Sequence, residues 1–256
     1  MSAVDHSKMK LGLGALCGLP MLSKYKLDVL TWPTAHDLVA PAGTCAMHLN
    51  DTIGCCTVAA LANAIARAVW LGSGNVIEID DGEVLAAYCQ LSGYKVGDES
   101  TDVGCDVRTV VDFAVSTGLA GHKALAAFDV TDLVLPSVYF VGGCYLAVAL
   151  PKRAQTQDVW DLPPGMPATG DDAPGSWNDD LSARHLVYVV GYDEDGVILE
   201  TWGEGRKRAT HRWVAEYMVQ AIAILFAESI RPDGKSAEGF DLDALKADLP
   251  QIGTAA

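Results

Sequence analysis

Three segments in the first half of the chain carry apolar residues at helical spacing. In 56–71, Val58, Leu61, Ala62, Ile65 and Val69 fall at i, i+3, i+4, i+7 and i+11, which predicts a long helix with one apolar stripe. Gly72-Ser73-Gly74 supplies its stop. A second helix is expected over 82–91 behind the acidic pair Asp80-Asp81, since carboxylates suit a helix N-terminus. A third is expected over 106–117, with Val107, Val110, Val111 and Ala114 in phase and Gly118 as terminator. The pattern then changes to short apolar runs of strand length. Residues 144–150, 185–192, 197–202, 206–213 and 221–226 read as strands, and Asp193-Glu194-Asp195-Gly196 makes a hairpin of the second and third. A Pro-, Gly- and Asp-rich connection over 153–182 lies between the first two strands. So long an irregular segment is expected to be functional or mobile, and its end must arrive beside His185.

Helices first and antiparallel strands afterwards define an α+β layout in one domain. Its expected parts are an N-terminal arm and extended segment (1–49), a helical lobe (50–125), a β lobe (126–230) and a polar tail (231–256) with a short amphipathic helix over 242–249. Residues 10–22 superficially imitate a signal peptide. They lack a small-x-small cleavage site, and the reading adopted is an arm that packs on the body.

Composition narrows the function classes. The chain has 256 residues and a formal net charge of -15, from 33 acidic and 18 basic side chains. Such a surface repels phosphate backbones, so nucleic acid is not expected as a partner, whereas cationic peptides or basic protein surfaces are attracted. No stretch approaches the roughly 20 apolar residues of a membrane span. The seven cysteines are odd in number, follow no framework spacing, and mostly sit inside apolar periodic segments, as buried free thiols do. That favours a reducing, cytoplasmic setting, or a particle-associated one if the protein is viral.

Cys56 opens the first helix behind Gly54-Cys55, where the partial charge of unpaired N–H groups favours a thiolate. A thiolate nucleophile needs a proton shuttle and a group to orient it. His185 begins a strand whose hairpin partner ends in Glu200-Thr201-Trp202-Gly203. These blocks resemble papain-like cysteine peptidases, as a distant branch of bacterial or phage type. The segment from Asn50 to Cys56 is similar to the family's nucleophile segment, where Gln lies six residues ahead of the thiol. His185 to Tyr192, then Gly196 to Gly203, is similar to its His-strand, Gly-Tyr turn and Asn-Ser-Trp-Gly strand. The resemblance implies Cys56 as nucleophile, His185 as general base and acid, and Asn50 in the oxyanion site with the Cys56 backbone N–H. For the third member, counting from His185 reaches Thr201 and counting back from Trp202 reaches Glu200; Thr201 is preferred for its spacing.

The sequence departs from the family pattern at Thr57 (for Trp), at Ile53 (for a disulfide cysteine) and at the extra thiol Cys55. Two functions follow. One is a thiol hydrolase acting on peptide or isopeptide bonds of a peptide or protein substrate. The other is a catalytically silent papain-fold protein that binds basic partners, for example in a virus particle. No cofactor or metal is expected: Cys45, His48, Cys55 and Cys56 offer zinc-ligand types, but adjacent cysteines rarely ligate one ion with good geometry. The oligomeric state is not encoded in any recognisable pattern.

Overall fold

The computed structural model describes residues 31–41, 43–178, 183–203 and 205–243. The expected arm (1–30) and most of the tail helix (242–249) lie outside the described residues. In chain order the elements are β1 (His36–Asp37), α1 (Cys56–Ser73), α2 (Asp81–Ser92), α3 (Val107–Ser116), β2 (Ala124–Asp129), α4 (Val134–Val141) and β3 (Cys144–Ala149). They continue with β4 (Val159–Trp160), β5 (Arg184–Tyr192), β6 (Gly196–Glu200), β7 (Arg206–Thr210), α5 (His211–Tyr217) and β8 (Met218–Phe226).

One sheet runs β2-β8-β3-β5-β6-β7-β4, with β1 added beside β5. All pairings are antiparallel except β4 with β7. The central strands are buried on both faces, which is why they read as continuous apolar runs rather than as alternating ones. Cys144, Leu146, Val148, Val187 and Val189 enter one core with α4, α5 and the tryptophans 160, 177, 202 and 213. Tyr145, Ala147, Leu186, Tyr188 and Val190 enter the other, against α1, α2 and α3.

Helix α1 sits at the centre of the second core and is buried on nearly every side through Ala68, not along one stripe. By length and mean hydropathy (1.3) it would qualify as a membrane span, contrary to the sequence expectation; its burial inside the protein explains that apolarity. Gly72 lets its last turn approach the 227–229 turn, since a Cβ there would lie 1.9 Å from Glu228 O. Arg67, 1 % exposed, ties the helix to three other segments through Nε to Gly142 O (2.8 Å) and Nη2 to Leu38 O (3.1 Å) and Val190 O (3.0 Å).

The structure corrects one strand. The 206–213 run is strand only to Thr210, whose hydroxyl accepts from Trp213 N and starts α5. Strand β2 and helix α4 carry no pattern that the sequence reading used. The 153–182 connection is less irregular than expected: it holds β4 and two short turns, and Arg153 grips Asp172 through Nε (2.5 Å) and Nη2 (2.8 Å).

Candidate active site

Asp80 and Asp106 cap α2 and α3 with side-chain hydrogen bonds. Helix α1 has neither a side-chain cap nor an acidic residue in its first turn. Cys56 is the first residue of the helix, where unpaired N–H groups carry partial positive charge. The turn before it is held from outside. Gly54 N donates to both oxygens of Asp102 (3.0 and 3.1 Å), and Tyr88 donates its hydroxyl to the same carboxylate at 2.5 Å. Tyr88 Oη in turn accepts from Gly104 N at 3.1 Å. Neither Tyr88 nor Asp102 is near Gly54 in sequence, so no local signal could have pointed to them.

Cys55 lies in the same turn with a different role. Its thiol donates to His48 O at 3.1 Å, is fully buried, and is pushed well above the usual thiol range, first by burial and then by neighbouring Cys56. Cys105 is pushed up to about 11 and Cys45 to about 12, again chiefly by burial. The other zinc-type side chain, His48, turns Nδ1 to Asp81 at 3.1 Å.

On the strand side, His185 is fully buried, its Nε2 lies 2.8 Å from Thr201 Oγ1, and its ring stacks on Trp202 with centroids 4.6 Å apart. Trp202 is backed by Trp177 at 5.6 Å and Trp160 at 5.9 Å. The two tryptophans of the 153–182 connection are thus buried behind the His185 ring. Asp179 and Asp180, which precede His185, lie outside the described residues.

A bulge in the β5–β6 hairpin decides which polar residue meets the imidazole. At the turn end Tyr192 pairs with Val197 and Gly191 with Ile198; beyond the bulge Val189 pairs with Leu199 and Tyr188 with Glu200. This one-residue shift puts Thr201 on the His185 face and Glu200 on the opposite, α1-facing side with Tyr188.

Asn50, Cys56, Asn63, Glu200, Thr201 and Trp202 line one cavity of about 10 Å³, room for a single water. His185 is not among its lining residues, and its Nε2 is hydrogen-bonded to Thr201, which is. Asn50 and Glu200 are 5 % and 6 % exposed. Among the described residues, Asn50 Oδ1 and Glu200 Oε2 have no hydrogen-bond partner. Burial raises the Glu200 carboxyl above the ordinary range, against the weaker opposing pull of Arg67 and Arg206. The sequence reading weighed Glu200 only as the alternative to Thr201 for orienting His185. The corner after Trp202 abuts the segment before Asn50: Gly203 has φ +61°, and a Cβ there would lie 2.7 Å from Met47 N.

No family model matches this chain, and no curated protein matches it. Solved structures do. Xylellain, a cysteine protease from Xylella fastidiosa, superposes with a TM-score of 0.63 at 15 % identity, covering 85 % of this chain and 96 % of that one. The Carica candamarcensis cysteine protease CMS1MS2 gives 0.52 at 14 % identity, covering 76 % and 99 %. Procathepsin B S9 from Trypanosoma congolense gives 0.56 at 11 % identity, covering 88 % of each chain. The chain therefore has a papain-like α+β fold, and these structural neighbours are cysteine proteases.

Proposed function

We propose that this protein is a thiol hydrolase of the peptidase type, with Cys56 as nucleophile and His185 as general base and acid. The observation that carries this reading is the convergence of Cys56, Asn50 and Thr201 on one cavity, with Thr201 hydrogen-bonded to His185. The thiolate, favoured by the uncapped α1 terminus, attacks a carbonyl carbon. The Cys56 backbone N–H and the Asn50 amide hold the oxyanion, and the His185 imidazolium gives its proton to the leaving amine. Water then hydrolyses the acyl-enzyme with the imidazole as base. Thr201 is the positioning residue that fixes the ring, and Trp202 keeps water from that hydrogen bond. The net charge of -15 favours cationic peptide or protein substrates. All described cysteines are free thiols, which suits a reducing, cytoplasmic compartment.

A second reading has its own observation. Cys56 is 1 % exposed and His185 fully buried, so substrate reaches them only after residues around the cavity move apart. A chain that never opens there is a silent papain-fold binding protein for basic partners. Iodoacetamide labelling at neutral pH, read by peptide mass spectrometry, separates the two. An opening hydrolase alkylates Cys56 far faster than Cys55, Cys105 or Cys144. Equal and slow labelling of all four establishes the silent protein.

A further inference from the structure

Two buried acceptors face one water-sized cavity behind the nucleophile. Asn50 and Glu200 both line it with Cys56, and the atoms left over are Oδ1 of Asn50 and Oε2 of Glu200. If the carboxyl is ionised, both atoms are acceptors and the described residues supply neither with a hydrogen. A buried polar atom without a partner is costly. One proton on Glu200 resolves the conflict, because it converts one acceptor into a donor aimed at the same space.

We propose that Glu200 is the positioning residue of the oxyanion site: its protonated carboxyl donates into the cavity, directly or through one water, to Asn50 Oδ1. That bond turns the Nδ2 edge of the amide toward the carbonyl oxygen that Cys56 attacks. This rests on the hydrolase reading and deepens it. An amide has one acceptor edge and one donor edge, so anchoring the oxygen directs the nitrogen. A donor in fixed orientation before the reaction is what an oxyanion site needs.

The groups facing Glu200 are Arg67 and Cys56 from α1, Tyr188 from β5, Arg206 from β7 and Cys45 from the segment before Asn50. Burial outweighs the two arginines and favours the proton. Rising pH removes that proton, releases the amide, and places a negative charge beside a site where negative charge develops. Hydrolysis therefore loses rate as Glu200 ionises.

The test compares the protein with its E200Q, E200L and N50A variants, using a pool of fluorogenic peptidyl coumarylamides from pH 5 to 10. Glutamine keeps a donor and cannot ionise. E200Q is expected to hold kcat within about threefold at pH 6 and to lose the alkaline fall assigned to Glu200. E200L is expected to lower kcat by about tenfold or more with KM nearly unchanged, and to add little to N50A. Iodoacetamide alkylation of Cys56 forms no oxyanion, so its rate is expected to stay within about twofold in every variant. Wild-type kcat and an unchanged alkaline limb in E200L overturn the proposal while leaving the hydrolase intact. Undiminished hydrolysis in C56A overturns the hydrolase reading itself. Should E200L not fold, the carboxyl carbon resonance of Glu200 in the wild-type protein decides. Titration near the ordinary value of about 4.3 overturns the proposal.

Discussion

Adjacent cysteines separate cleanly once their surroundings are compared. Cys55 spends its proton on His48 O and is held as a thiol by burial, while Cys56 stands at an uncapped helix terminus on the cavity. Cys56→Ala is expected to abolish hydrolysis, and Cys55→Ala to leave most of it at some cost in stability. Full activity in Cys56→Ala, measured on the same peptide pool, would show that another group is the nucleophile. Glu200 makes a second prediction at this scale, independent of activity. Its native proton affinity is raised, so between the unfolded value near 4.3 and the native value the folded state holds a proton that the unfolded state has lost. Stability then falls as pH rises through that window and is flat above it. Because Gln carries no such proton, E200Q is expected to gain stability relative to wild type as pH rises from about 4, until Glu200 is ionised. Urea unfolding across that range checks this, and a difference constant with pH would mean that Glu200 is ionised throughout.

Among the elements, α1 carries the most consequence, and Arg67 shows how it is anchored. Its guanidinium donates to carbonyls from the segment after β1, the α4–β3 turn and β5, all from within the core. Arg67→Met keeps the stem and strands those carbonyls, so a loss of about 3 kcal/mol or more is expected in denaturant unfolding. Arg67→Lys should rescue little, because one ammonium cannot reproduce the planar fork. The same helix was legible in sequence to within two residues, since its apolar period and its C-terminal glycines agree. Strands β3, β5 and β8 were legible from their apolar runs. Helix α5 was not: its seven residues are too few for a clear period, and Thr210 was read as strand, not cap. Strand pattern alone could not choose between Thr201 and Glu200, and the preference for Thr201 rested on the family's spacing. That choice depends on the parity of the β5–β6 register, and a bulge between Val189 and Gly191 inverts it; Gly191 inside the strand is the local signal of that bulge, and the sequence reading used it only as part of a Gly-Tyr turn. Had the turn-end register continued, Glu200 would share the His185 face and Thr201 would face α1.

For the whole molecule the decisive quantities are closure and charge. Cys56 and His185 are both buried, so the proposed hydrolysis requires that the residues around the cavity move apart before substrate reaches Cys56. The His185 side is braced by Trp202, Trp177 and Trp160, and the Asp172 turn is clamped by Arg153 and by Tyr217, which donates to Asp172 O at 2.6 Å. Once the cleft opens, the net charge of -15 acts on whatever approaches. A field of that sign raises the encounter rate of cationic peptides and leaves the chemical step untouched. Salt separates this from a specific acidic pocket, because the Debye length shrinks from about 30 Å at 0.01 M to about 3 Å at 1 M. The expected outcome is that kcat/KM for Lys- and Arg-rich peptides falls several-fold between 0.01 and 0.5 M NaCl. For neutral peptides it should hold steady, and kcat should be constant for both. A preference for basic peptides that survives high salt unchanged would instead place the selectivity in short, desolvated contacts at the cleft, where screening is weak.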